Sequence, residues 1–131
     1  MVSILFHIES HYLVNRKKVI QAVDNHLKGK VHRACEVSIS VIGNRRMHAL
    51  NVKYRKVDAT TDVLSFPLSE QSPSQVPFIE APDNKLRLGD IVVSYPEAVR
   101  EATQQNKLVD DVVIELVLHG LNHLLGIHHP E

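Results

Sequence analysis

The amino-acid sequence predicts one small α/β (α+β) domain over residues 1–131, a mixed sheet of about four strands flanked by helices. Three observations carry this. Short apolar segments of β type alternate with segments of helical spacing along the chain. A length of 131 residues suits a single modest core. No repeat, low-complexity tract or composition break marks a linker.

The elements follow in order. Ile4 to Ile8 is apolar and β-rich. Leu13 to Leu27 has apolar residues at 13, 14, 19, 20, 23 and 27, which is helical spacing, with Gly29 as a stop. Glu36 to Ile42 alternates through Val37, Ile39 and Val41, the pattern of a half-buried strand. Gly43-Asn44 interrupts it, and Asn44 is the expected cap of a helix running to about Tyr54. Thr61 to Phe66 reads as a short strand closed by Pro67. Leu68 to Asn84 contains three prolines but no periodicity, so a loop is expected. Leu88 to Ser94 is another apolar strand. Ser94 and Glu97 have capping-box spacing with Pro96 in the first turn, and the helix they open runs to about Asn106. A last helix starts at Asp110 or Asp111 and reaches about Leu125.

Apolar residues make up 44% and charged residues 23%, an ordinary globular balance. No apolar run approaches the roughly 20 residues of a membrane helix, and the N-terminus lacks the basic start and cleavage site of a signal peptide. The single cysteine, Cys35, fits a reducing cytoplasm and reads as a small buried hydrophobe. A cytoplasmic location is expected, with no membrane partner. Net charge is zero but unevenly spread. Residues 1–58 hold eleven Lys/Arg against four Asp/Glu, and residues 59–131 hold four against eleven. The plainest account is that the two halves pair with each other and with solvent.

Four histidines fall within eleven residues near the C-terminus: His119, His123, His128 and His129. On a helix, His119 and His123 share one face and reach one ion. Gly126 can end the helix and turn the chain back, bringing His129 in as third ligand. Three imidazoles leave the fourth tetrahedral position of a zinc ion open for water, as in catalytic sites. Nickel and copper also accept imidazole. Ile114, Val117, Leu118, Leu121, Leu124 and Leu125 form the stripe expected to pack on the sheet, with Asp111, Glu115, His119, Asn122 and His123 opposite. Glu115, one turn before His119, is a candidate partner for a ring nitrogen. His7, His11, His26, His32 and His48 read as ordinary hydrogen-bonded histidines.

The spacing H-x3-H-x2-G-x2-H is that of the metzincin metallopeptidases, so a metzincin-like metal helix is expected. Those enzymes carry a glutamate base directly after the first histidine, where this chain has Gly120. The absent carboxylate disfavours peptide hydrolysis, and the glycine suggests open space beside the metal. With Gly at that position the segment resembles the H-G-x-x-H-L-x-G-x-x-H signature of the YbeY family. Three further stretches match in order: Leu50-Asn51 with Tyr54-Arg55, Thr61 to Pro67, and Leu88 to Ser94.

The resemblance implies a small mixed sheet flanked by helices and a cytoplasmic single-strand endoribonuclease of bacterial or organellar type. Its work would be ribosomal RNA maturation and ribosome quality control. One Zn2+ per chain on His119, His123 and His129, and a functional Arg55, follow from the same resemblance. Expected partners are single-stranded or ribosomal RNA and small-subunit ribosomal proteins. The family has Asp where this chain has His128, which puts in question an orienting role at that position and makes His128 a competitor for the metal. The family commonly continues past this point, so a ligand two residues from Glu131 is expected to be held less firmly than its partners.

Arg55 is the candidate catalytic side chain, since paired guanidinium N–H donors suit charge developing on phosphoryl oxygens. In the absence of the resemblance, Lys and Arg in a last helical turn would be read as complementing the helix dipole. Lys53 and Arg45 are candidate substrate contacts, and Arg46 and Lys56 extend the same basic surface. Asp62 and Ser65 are read as turn chemistry and strand pairing, outside the site. No obvious aromatic platform for stacking bases stands out. A ribosome-assembly factor with a mainly structural zinc is the second reading, and a metallopeptidase the third.

Overall fold

The computed structural model describes residues 2–9, 11–31, 34–68 and 86–126. The expected loop from Leu68 to Asn84 falls, beyond Leu68, outside these residues, as do His32, His128 and His129.

Four strands and four helices follow as β1 (Val2–Ile8), α1 (Arg16–Lys28), β2 (Cys35–Ile42), α2 (Asn44–Arg55), β3 (Val63–Pro67), β4 (Leu86–Ser94), α3 (Tyr95–Gln105) and α4 (Val109–Leu124). The sheet order is β1-β2-β4-β3. β1, β2 and β4 run parallel, and β3 is antiparallel to β4. The α/β reading therefore holds, with element ends within a few residues of expectation.

Alternation divides the sheet into two faces. Cys35, Val37, Ile39 and Val41 of β2 and Ile91 and Val93 of β4 are buried on one side. Most of them join a core with Val19, Val23 and Leu27 of α1, Ala98 and Ala102 of α3, and the apolar side of α4. Each fully buried aliphatic side chain there contributes about 1.5–3 kcal/mol. On the opposite face a smaller cluster, Ile42, Met47, Leu64 and Val92, holds α2 against the sheet. Cys35 is fully buried, as its sequence context suggested.

The caps explain two boundaries and correct one. Asn15 accepts from the Lys18 amide at 3.1 Å, so α1 begins later than the apolar spacing implied. Ser94 accepts from the Glu97 amide at 3.3 Å and opens α3 as expected. Asn44 does not cap α2; Gly43 holds that position without a side-chain bond. The Asn44 side chain instead donates to Glu97 Oε2 at 3.0 Å and accepts from the Ser94 hydroxyl, tying the starts of α2 and α3 together. Glu97, almost buried, is further compensated by Arg100 at 2.6 Å.

β4 is bulged where Val37 pairs with Gly89 and Leu88 is skipped. Gly89 has φ +139°, and an added Cβ would lie 2.3 Å from the Phe66 carbonyl oxygen. Only glycine permits that backbone and that approach of β3. Gly89→Ala is therefore expected to destabilise the protein by at least about 2 kcal/mol. Urea denaturation measures this; a change under about 0.5 kcal/mol, the range of an ordinary surface substitution, would show that the β3–β4 approach tolerates a side chain.

Candidate functional site

A cavity of about 420 Å3 lies where the end of α4 passes the edge strand β3. Its lining draws on three parts of the chain: Arg55 from α2, Thr61 to Ser65, and His119, Gly120 and His123 from α4.

The helix supplies the imidazoles. Val112, Val113, Leu116, Val117, Leu121 and Leu124 are buried against the sheet, while His119 and His123 are exposed one turn apart. Their Nε2 atoms approach to 3.3 Å, with the rings at 67°. Two ligands at 2.0–2.1 Å from a tetrahedral ion stand about 3.3–3.4 Å apart, so this spacing fits a shared zinc. Gly126 has φ +79°, consistent with a helix stop there. His128 and His129 lie outside the described residues, and among the described residues no three metal-capable side chains converge.

Three expectations about this helix are corrected. Glu115 does not turn to His119; its carboxylate pairs with Lys107 Nζ at 2.8 Å. Asn122 leaves the site as well, meeting His26 Nε2 of α1 at 2.8 Å. Gly120 opens no space in the direction of a side chain, because an added Cβ would lie 2.9 Å from Ile91 Cγ2. The glycine serves close packing of α4 on β4.

Arg55 reaches the cavity from the other face of the sheet. Asn51, one turn earlier and buried, donates to the Ala59 carbonyl at 2.8 Å and accepts from Arg55 Nη1 at 3.4 Å. Lys56 adopts φ +60°, ending α2 so that the chain turns back towards β3. One buried amide thus sets both the guanidinium and the turn that leads to Thr61. Sequence reasoning noted Asn51 only as part of a motif, since its role depends on residue 59 folding back.

Arg45 and Lys53 are exposed on α2 and line no cavity described here; Lys53 Nζ rests 5.1 Å from the Tyr54 ring centre. Helix α2 contains no acidic residue. The pairing of halves is real but local, through Lys18–Asp111 at 2.9 Å and Arg87–Glu36 at 3.8 Å. His48 pairs with Asp58 at 2.7 Å.

Asp62 and Ser65, left out on sequence grounds, both line the cavity. Alternation along β3 was the available signal for Ser65. The Asp62 carbonyl accepts from the Ser94 amide at 2.8 Å, which holds the strand start against β4. Its carboxylate lies beside that of Glu101 of α3. Burial first, then Asp62, then Glu97 push the Glu101 carboxyl up to about 7, with Arg100 opposing.

A small mixed α/β sheet with a histidine-paired helix beside an arginine-lined cleft defines the class. The family model described as Endoribonuclease YbeY matches residues 6–131. The Endoribonuclease YbeY of Dehalococcoides mccartyi is 38% identical over 100 residues, which cover 73% of this chain and 58% of that protein. That of Acinetobacter baumannii is 36% identical over 113 residues, covering 86% and 67%. The fold is shared with the solution structure of a Thermotoga maritima protein, at TM-score 0.61 and 23% identity over 97% of this chain and 75% of the other. The chain belongs to the YbeY family. Its matched stretch spans less than two thirds of the Dehalococcoides relative.

The raised Glu101 value has a direction in pH. Between about 4.5 and 7 the folded protein keeps a proton that the unfolded chain has lost. Stability from this group is therefore greatest at the acid end of that window and declines as pH rises to about 7. Glu101→Gln is expected to flatten the fall of Tm between pH 5 and 8. An equally steep fall in the variant would place the titration elsewhere.

Proposed function

We propose that this chain is a zinc-dependent endoribonuclease that cuts single-stranded RNA, acting in ribosomal RNA maturation and ribosome quality control. Residues 1–131 form one hydrolase domain, working in the cytoplasm on ribosomal RNA and beside small-subunit ribosomal proteins. The observation that carries this is the approach of His119 and His123 Nε2 to 3.3 Å in a cavity that Arg55 also lines. Membership of a family named for endoribonuclease activity supports it. No helix among the described residues is long and apolar enough to cross a membrane.

In this reading His119 and His123, with His129 as third ligand, hold one zinc ion. When bound, the ion polarises a phosphoryl oxygen or lowers the pKa of its water to about 7. Arg55 donates paired N–H groups to the charge that develops on the phosphoryl oxygens, and Asn51 keeps its guanidinium aimed there. The edge of β3 positions an extended strand along the cavity. Gly120 leaves the usual peptidase carboxylate absent, and its contact with Ile91 leaves little room for one. Arg45 and Lys53, on the acid-free helix α2, attract the RNA backbone before it settles.

Metal content and cleavage of a single-stranded RNA, measured on the same preparations, test this. Wild type is expected to carry one zinc per chain and to cut. His123→Ala is expected to lose both, and Arg55→Ala to keep zinc and fold while losing about 100- to 1,000-fold in rate. Wild type that holds zinc but cuts nothing would favour an assembly factor with a structural ion.

The outer cations have a separate signature. Replacing Arg45 and Lys53 by glutamine is expected to lower the slope of log affinity against log salt by roughly 1.4, at about 0.7 per phosphate contact on a single strand. An unchanged slope would remove both residues from the RNA path.

A further inference from the structure

A second cavity, of about 500 Å3, lies on the face of the sheet opposite the histidines. Strand alternation separates the two. Val63 and Ser65 of β3 face α4, while Phe66 lines the second cavity. Its floor is the part of β2 and β4 that α2 leaves uncovered. Ser38, Asp90 and Phe66 stand in one row across the sheet, since Ser38 pairs with Asp90 and Asp90 with Phe66.

The wall of this cavity is aromatic, a feature absent from any short stretch of the sequence. Tyr54 of α2 and Phe66 of β3 meet edge to face, ring centres 5.3 Å apart. Tyr54 is 54% exposed, an amphipathic ring held at the rim of a cleft. It directly precedes Arg55, so two consecutive residues in the last turn of α2 line the two cavities. A strand holding one phosphate at Arg55 would have Tyr54 as the adjacent side chain on α2.

The chemistry of the lining favours a base over a phosphate. Arg46, its cation, is paired with Glu9 at 3.0 Å. The Asp90 carboxylate repels a phosphate, whereas with the Ser38 and Ser40 hydroxyls it accepts N–H groups from a base edge. Unstacked RNA bases are read in this way, by a ring beneath and hydrogen bonds at the edge. Carboxylates accept from the exocyclic amine of cytosine, and uracil has a carbonyl there instead. The volume falls within the roughly 300–1,000 Å3 of small-ligand sites.

We propose that this cavity is a base-binding subsite for a nucleotide flanking the cleaved phosphate, in which Tyr54 and Phe66 supply the stacking surface and Asp90 selects a base bearing an exocyclic amine. The proposal rests on the ribonuclease reading and adds a sequence preference to it.

Titration of the metal-loaded protein with cytidine 5′-monophosphate and uridine 5′-monophosphate tests it. The two probes share sugar and phosphate and differ only on the base edge, where cytosine has an amine beside an N3 acceptor and uracil a carbonyl beside an N3–H donor. Amide resonances of Tyr54, Phe66 and Asp90 are expected to shift with the cytidine nucleotide, which binds at least about fivefold more tightly than the uridine one. Tyr54→Ala is expected to weaken cytidine binding at least about fivefold. Asp90→Asn is expected to abolish the preference while leaving stacking in place.

Shifts confined to the His119 cavity, or cytidine affinity unchanged in Tyr54→Ala, would overturn the subsite. RNA cleavage measured in parallel separates the two readings. Cleavage without shifts at Tyr54 removes the subsite and leaves the nuclease, while shifts at Tyr54 without cleavage remove the nuclease and leave a nucleotide site.

Discussion

The close approach of α4 to β4 at Gly120 governs where every other group of the cavity can stand. Helix and sheet touch there through a residue with no side chain, and Ile91 occupies the space that a Cβ would need. His119 precedes this contact by one residue and His123 follows it by three. Both imidazoles are therefore carried to the edge of β3 by a helix whose depth is set by backbone-to-side-chain packing. A helix standing farther out would widen the cavity and lift the pair away from Thr61 to Ser65. Close-packed interiors transmit such shifts, because few voids exist to absorb them.

A second constraint comes from the other face of the sheet. Met47 and Leu64 lock α2 beneath β3, and Asn51 ties the end of α2 to residue 59. Arg55 then reaches past the strand towards the histidines while Tyr54 stays behind with Phe66. The edge strand thus works as a partition, with charge chemistry on one side and an aromatic corner on the other. Its closeness to β4 depends on Gly89, among the described residues the one strand position with a strongly positive φ. Small residues at two points allow the close spacing, and the polar groups follow from it.

Much of this was legible in the sequence where the signal is periodic or local. Helical spacing and the Ser94–Glu97 pair located α3 and α4, strand alternation located β2, and an apolar run located β4. The i, i+4 relation of His119 and His123 implied that both reach one point, and their Nε2 spacing agrees with it. Misreadings came where a side chain had two partners to choose from. Asn44 has the chemistry of a cap but is drawn to Glu97 and Ser94, 50 or more residues away. Glu115 has the spacing to support His119 but finds Lys107, whose ammonium offers a stronger partner than an imidazole. Asp62 read as turn chemistry because Glu101, the carboxyl it stands beside, comes from α3, far along the chain.

By itself, the amino-acid sequence determined the fold class, the order of elements, the histidine-bearing helix and the family to which the chain belongs. These follow from hydrophobic periodicity, from caps within four residues of their amides and from motifs read along one strand or helix. Only the tertiary structure decided that Asn51 aims Arg55, that Asp62 stands in the cavity with Glu101 behind it, and that Tyr54 meets Phe66 across the edge of β3. Each of those pairings joins separate elements. Their geometry is set by how closely helices and strands pack, a quantity that no local spacing encodes.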